Sequence, residues 1–387
     1  MRVTFFSNYL NAHVLPLCEE LRGTPGVELA FVALAAKAGN VGRENLNETT
    51  PWVVRAYEGG EQEARAVELA QDSDVVVFGH MSGREGYVET RVATGALTYR
   101  SAERILKRGD AIRFLPPKMK RTREWFGRYA RCSNFHMLCV GGHAARDLAK
   151  SGFPLEKCRQ WGYFTEVPEA LERNYSSAGE PLSLLWAGRM LDWKRPVDAL
   201  RIVADLVDSG SPVRLRMAGD GDEMERVRAA IADWGLQDSV ELLGLVEAER
   251  VHELMCTSDA LLNTSARKEG WGAAVSEAMA RGCIVISNDQ AGAPATLVRE
   301  GQNGFLYPDG RLDAAESCVA WLAADRARVR AVGEAARETM TSTWNARVAA
   351  RNLLQLSEAL LAGEEPPELE GPCALCAPEP ARGRSRA

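Results

Sequence analysis

The chain has 387 residues, 46% of them hydrophobic, and a formal net charge of −6. That length exceeds what one compact core fills, so two domains are expected, and the acidic balance excludes a general nucleic-acid binder. No stretch reaches the ~18 apolar residues of a membrane span, and nine cysteines without a framework indicate a reducing, cytoplasmic setting. Residues 3–6 are a short apolar run, read as a strand and not as a signal peptide. A helical pattern over 11–21, a strand over 26–34, a helix over 63–70 and a β-branched run over 74–78 follow. This alternation implies a doubly wound parallel sheet. The loop at 7–13 lacks the glycines of a dinucleotide fingerprint. His80 follows the strand at 74–78, at the end where such sheets bind ligands. It is a candidate ligand contact, the alternative being a cap on the next element.

Residues 116–131 hold six Lys/Arg against one Glu, with Trp125, Phe126 and Tyr129 interleaved. Two readings stand: a peripheral contact with an anionic membrane or a phosphate-linked acceptor, or a solvated helix with an apolar underside. Residues 139–164 form another βα unit, and the polar, turn-rich stretch 167–181 is read as an interdomain linker after a first domain of 1–166. Alternation restarts with strands at 182–186, 213–217, 240–243, 260–263, 283–287 and 304–307, giving a second Rossmann-like domain over 182–341. A helix at 348–361 follows, and 364–387, rich in Pro, Glu, Gly and Arg, is expected to be disordered. The Cys373-x-x-Cys376 pair in that tail has no second pair to complete a zinc site.

Two loops of the second domain carry chemistry. Arg189 and Lys194, after Gly188, stand five residues apart at the ligand end of the sheet. A planar fork and a mobile point charge suit a diphosphate leaving group, surface charge at a helix start being the alternative. Further on, Glu269 and Glu277 stand eight residues apart across Gly270 and Gly272. Between them Ala273 and Ala274 open a helix, whose free amides attract an anion. A diphosphate there has a group on each side, and a carboxylate waits for each: Glu269 for sugar hydroxyls, Glu277 for ribose. A first-turn acidic residue and a solvated helix residue are the plain alternative. Gly219 and Gly221 are read as allowing close backbone approach to a ligand, with Asp222 as N-cap and Glu225 completing a capping box. No His/Cys/Asp cluster has metal-ligand spacing, so no metal and no cofactor are expected.

The run 268–282, together with Gly188-Arg189 and Lys194 some 75 residues before Glu269, resembles the signature of the retaining GT-B glycosyltransferases of family four. Trp271 stands where that family has an aromatic, and 291–296 departs from its Gly-Gly-x-Pro-Glu, with Thr296 near the Glu. The resemblance implies an α/β GT-B fold, two Rossmann-like doubly wound domains facing across a cleft, with a terminal helix over 342–363 crossing back to the first domain. It implies transfer of a sugar, hexosyl in type and with retention, from a nucleotide diphosphate sugar to a hydroxyl on a glycan, lipid-linked or small-molecule acceptor. Arg189 and Lys194 would bind the diphosphate, His80 the donor sugar, and backbone near Val246 the base. The asparagine-containing first loop is similar to a subgroup acting on surface polysaccharides. A nucleotide-sugar epimerase of the same fold and a non-catalytic binding subunit are the rivals.

Overall fold

The computed structural model describes residues 1–36, 45–109 and 116–377. They form two compact units, the first from Met1 to Phe164 and the second from Thr165 to Asn345, the chain returning to the first at Ala346.

The first unit runs β1 (Arg2–Ser7), α1 (Leu15–Gly23), β2 (Glu28–Ala33), α2 (Leu46–Thr49), β3 (Val53–Arg55), α3 (Gly60–Asp72), β4 (Val75–Phe78), α4 (Gly86–Ala93), β5 (Thr98–Glu103), α5 (Pro116–Ala130), β6 (Phe135–Val140), α6 (Ala144–Lys150) and β7 (Cys158–Trp161). Its seven strands lie in the order β3-β2-β1-β4-β5-β6-β7, every neighbouring pair parallel. β4 is buried at all four positions because helices cover both sheet faces, which is why its sequence shows no alternation. α1 starts later than the periodicity suggests. Asn11 instead makes a turn, its side chain accepting from the His13 amide at 2.9 Å and its carbonyl from Val14 at 3.0 Å.

The second unit runs β8 (Leu182–Ala187), α7 (Pro196–Asp208), β9 (Val213–Ala218), α8 (Met224–Asp233), β10 (Val240–Gly244), α9 (Ala248–Cys256), β11 (Ala260–Asn263), α10 (Ala273–Ala280), β12 (Ile284–Asn288), α11 (Gly292–Leu297), β13 (Gly304–Tyr307), α12 (Leu312–Ala323) and α13 (Arg326–Glu338). Its six parallel strands are ordered β10-β9-β8-β11-β12-β13. Strand order therefore reverses between β1 and β4 in one unit and between β8 and β11 in the other, the switch points where such sheets hold ligands.

Two expectations need correction. The stretch read as a linker packs onto the second unit. Arg173 donates to the Met255 and Ser258 carbonyls, and buried Asp259 accepts from the Ser176 amide at 2.9 Å, the Ser176 hydroxyl at 2.5 Å and the Ser183 amide at 2.8 Å. A buried carboxylate with three donors holds that segment too well for a free tether. Second, the described part of the supposed disordered tail is ordered. After α14 (Ala346–Ala362), which packs on α1 and whose Ser357 meets the Tyr99 hydroxyl at 3.1 Å, the chain lies antiparallel to the edge strand β7. Gln160 donates to Ala374 at 2.8 Å and Cys376 to Cys158 at 3.0 Å, so the tail covers an open sheet edge. Residues 378–387 lie outside the described residues. Within the described tail Cys376 meets Cys139, and hydrogen bonds that the Cys139 thiol makes as donor to Cys158 and Cys376, together with burial, push that thiol up. The aromatics of α5, by contrast, face inward. Phe126 and Tyr129 are buried, and Trp125 packs edge-on to Phe126 at 4.8 Å and Tyr129 at 4.5 Å. The reading of an apolar underside holds for them.

Candidate functional site

The loops after β8 and β11 emerge side by side at the second unit's switch point, because those strands are neighbours. The first loop carries Gly188, Arg189 and Lys194, and the second carries Glu269, Gly270 and Gly272. Lys194 Nζ stands 2.6 Å from Glu269 Oε2, with side-chain exposures of 19% and 15%. The ammonium lies over Gly188, where a Cβ would be 3.7 Å from Nζ. Glu269 lies against Gly272, where a Cβ would come 3.3 Å from its Cγ. Gly272 also has φ of 90°, a left-handed backbone that starts α10 directly beside the ion pair. The Val275 amide closes on the Gly272 carbonyl at 3.0 Å. Ala273 and Ala274 open the helix, where amides lack intrahelical acceptors.

The two loops are fastened to each other. Trp186 Nε1 donates to Thr264 Oγ1 at 3.0 Å, and that hydroxyl donates to the Lys194 carbonyl at 2.7 Å. The Ala266 amide bonds the Trp193 carbonyl at 2.7 Å, and Lys268 reaches Asp192 at 3.1 Å while lying over the Trp193 ring. Arg195 takes a left-handed conformation, φ 48°, and its guanidinium meets Asp309 at 2.5 Å. Burial would raise the Asp309 carboxyl, but hydrogen bonds from Asn288 and Arg195 hold it below the ordinary carboxylate range. Thr264, Trp186 and Asp309 were not singled out from sequence. A threonine ending a strand carries no local signal for a contact 70 residues away.

Gly219 and Gly221 pack against the main chain of the neighbouring loop. A Cβ on Gly219 would fall 1.8 Å from the Gly188 carbonyl oxygen, and one on Gly221 would fall 2.6 Å from that of Met190. They let the β9–α8 loop back directly onto the β8 loop, with Met190 donating to Asp220 at 2.8 Å and Glu223 donating to Met190 at 2.9 Å. This contact also shifts the start of α8. Its N-cap is Glu223, without a side-chain bond, so the capping box on Asp222 and Glu225 does not form. The Gly219 amide bonds the Gly244 carbonyl at 2.7 Å, and Val246 follows two residues on, half-buried. Arg189 is exposed. Glu277 is half-buried, one turn inside α10, and Arg281 caps its carbonyl at 3.2 Å. Trp271 is a core residue, stacked on Trp344 at 5.7 Å, and its carbonyl receives the Ala293 amide at 2.8 Å. Thr296 bonds back to the Gly292 carbonyl at 3.0 Å. Among the described residues no group of three or more His, Cys, Asp or Glu is placed to hold a metal ion.

His80 belongs to the first unit. It is exposed just beyond the C-terminal end of β4, and its carbonyl accepts from the Asn8 amide at 2.8 Å. The Asn8 side chain bridges to Ser82, donating to its hydroxyl and accepting from its amide, both at 2.9 Å. An asparagine thus ties the β1 and β4 loops at that unit's switch point.

Residues 169–339 match the family described as glycosyl transferases group 1. The match lies wholly within the second unit. The chain is 29% identical over 175 residues to an exopolysaccharide phosphotransferase of Streptomyces coelicolor, covering 45% of this chain and 18% of that protein. It is 30% identical over 218 residues to the amylovoran biosynthesis glycosyltransferase AmsK of Erwinia amylovora, covering 55% and 53%. The chain therefore spans about a fifth and about half the lengths of these curated relatives. Among solved structures it is similar to HepE of Anabaena, crystallised with UDP, at a TM-score of 0.66 and 16% identity over 94% of this chain and 100% of the other. The fold is thus GT-B, with two Rossmann-like units.

Proposed function

We propose that the chain is a glycosyltransferase that moves a sugar from a nucleotide diphosphate sugar to a hydroxyl of a surface-polysaccharide or lipid-linked glycan. The observation that carries this reading is the Lys194–Glu269 pair seated at the N-terminus of α10. It puts a cation, a carboxylate and helix-opening amides within one cluster. Lys194, Arg189 and the Ala273 and Ala274 amides hold the diphosphate, with Gly188, Gly270 and Gly272 lining the approach. Glu269 orients the donor sugar, Glu277 holds the ribose, and backbone near Val246 meets the base. His80 is read as a further contact to the donor sugar. The bond between the anomeric carbon and the phosphate oxygen breaks and a bond to the acceptor oxygen forms. The acceptor oxygen attacks on the face the diphosphate leaves, so configuration is retained, and its proton passes to the leaving diphosphate; the sugar transferred is read as a hexosyl group. Lys194 supplies charge that a divalent ion would otherwise bring, so no metal is required. The names of both curated relatives support a polysaccharide acceptor.

Thermal unfolding in the presence of UDP, GDP, ADP, TDP or CDP tests the donor site. A nucleotide at a hundred times its Kd stabilises the fold that binds it by about 2.7 kcal/mol. One of the five should raise the transition, with or without EDTA. Five flat responses would remove the donor-site reading, and a response that EDTA abolishes would remove metal independence.

Contact of α5 with an anionic membrane is part of this proposal in an electrostatic form only, since Phe126 and Tyr129 are committed to the core. Lys120 is 78% exposed, and Arg128, 67% exposed, is 3.3 Å from Glu89. Binding to phosphatidylserine vesicles should therefore appear at low ionic strength and vanish near 0.5 M salt, where the screening length is only ~4–5 Å. Equal sedimentation with neutral vesicles would count against it.

A further inference from the structure

We propose that Thr264 is a positioning residue for Lys194, a role that rests on the donor-site reading above. Its hydroxyl is fully committed: it accepts from the Trp186 indole at 3.0 Å and donates to the Lys194 carbonyl at 2.7 Å. Thr264 is 1% exposed and Trp186 2%, so neither bond competes with solvent. Trp186 lies in β8 and Thr264 directly follows β11, the strands on either side of the sheet's reversal. The hydroxyl thereby fixes the far end of one loop to the rigid start of the other. Lys194 then has its backbone held by Thr264 and its ammonium held by Glu269 at 2.6 Å. Both anchors lie on the single segment 264–269, so the distance between carbonyl and ammonium is set by one short piece of chain. On the other side, Arg195 takes its left-handed turn with its side chain on Asp309. A long flexible side chain loses much rotamer freedom when it is held for a ligand. Thr264 removes that cost in advance by fixing the main chain from which the side chain departs.

Thr264→Val keeps the shape and removes the hydroxyl, Thr264→Ser keeps the hydroxyl, and Trp186→Phe removes the indole donor along with part of the ring volume. Two readouts separate this role from a structural one. The first needs no nucleotide: acylation of Lys194 by a soluble active ester, followed by mass spectrometry. Thr264→Val should speed it by about fivefold, the scale of one buried hydrogen bond, while Thr264→Ser stays at the wild-type rate. The second is the preference for a nucleoside diphosphate over its monophosphate, which Thr264→Val should reduce by a similar factor and Thr264→Ser restore. If Thr264→Val does not fold, Trp186→Phe should give the same two changes at smaller size. A folded Thr264→Val with wild-type acylation overturns the positioning role, whatever the nucleotide results. Faster acylation in a protein that binds no nucleotide would leave the loop clamp standing and overturn the donor-site reading, and with it the catalytic sense of the clamp.

Discussion

Lys194→Ala should lower the rate of sugar transfer by about 10²–10³-fold, the loss typical of removing one preorganised group that stabilises charge in a transition state. The measurement is release of nucleoside diphosphate under saturating donor, using the base found by thermal shift. Lys194 and Glu269 are ion-paired at 2.6 Å and both mostly buried, so removing the lysine also leaves a carboxylate without its counter-ion. Such a stranded charge is costly in itself. If Lys194 served only to neutralise Glu269, Lys194→Ala combined with Glu269→Gln would recover to the rate of Glu269→Gln alone. If the ammonium acts on the leaving diphosphate, the double variant stays well below Glu269→Gln alone. Recovery in the double variant, or a single variant within threefold of the parent, would refute the assignment.

The sequence made the repeating strand–helix order legible, because parallel strands buried on both faces read as β-branched runs between helical patterns. Val75 to Phe78 and Ile284 to Asn288 are of that kind. Short or polar strands escaped: β3 has three residues, and β5, Thr-Tyr-Arg-Ser-Ala-Glu, is buried at only two positions. The loop residues Lys194 and Glu269 were legible by type and spacing, and the structure puts them in contact. Their partners were not. Thr264, Trp186 and Asp309 act through contacts that exist only once the sheet has ordered its strands. Gly219 and Gly221 were read as allowing close approach to a ligand, and no local signal showed that the main chain of Gly188 and Met190 lies against them. Composition misled at the C-terminus as well. A Pro/Glu/Gly-rich stretch holds too little apolar surface to form its own core, yet an open strand edge at β7 offers it backbone partners.

Arg91→Met should destabilise the first unit by about 3–5 kcal/mol, the range found when one member of a buried charged network is removed. Arg91 is completely buried, and its guanidinium has carbonyl partners in place of a carboxylate. Nη1 donates to Gln71 at 2.9 Å and Ser73 at 2.6 Å, with Ala70 at 3.4 Å, and Nη2 donates to Asp74 at 3.0 Å and Leu97 at 2.8 Å. Those carbonyls are the end of α3, the entry to β4 and the entry to β5. The first lie at the negative end of a helix dipole, where a cation is favoured. Burial lowers the guanidinium pKa to about 10, against the pull of Asp74 and Asp72, so the group is still charged at neutral pH. Methionine would fill the space and orphan the carbonyls, whereas Arg91→Lys keeps the charge without the planar fork and should recover only part of the loss. The cage is at the N-terminal ends of β4 and β5, opposite the ends that carry His80 and the ligand loops. Amide exchange should therefore rise in α3, β4 and β5 of Arg91→Met, while protection of α10 and the nucleotide-induced shift of the second unit stay unchanged. Uniform loss of protection through both units would contradict a clamp local to the first.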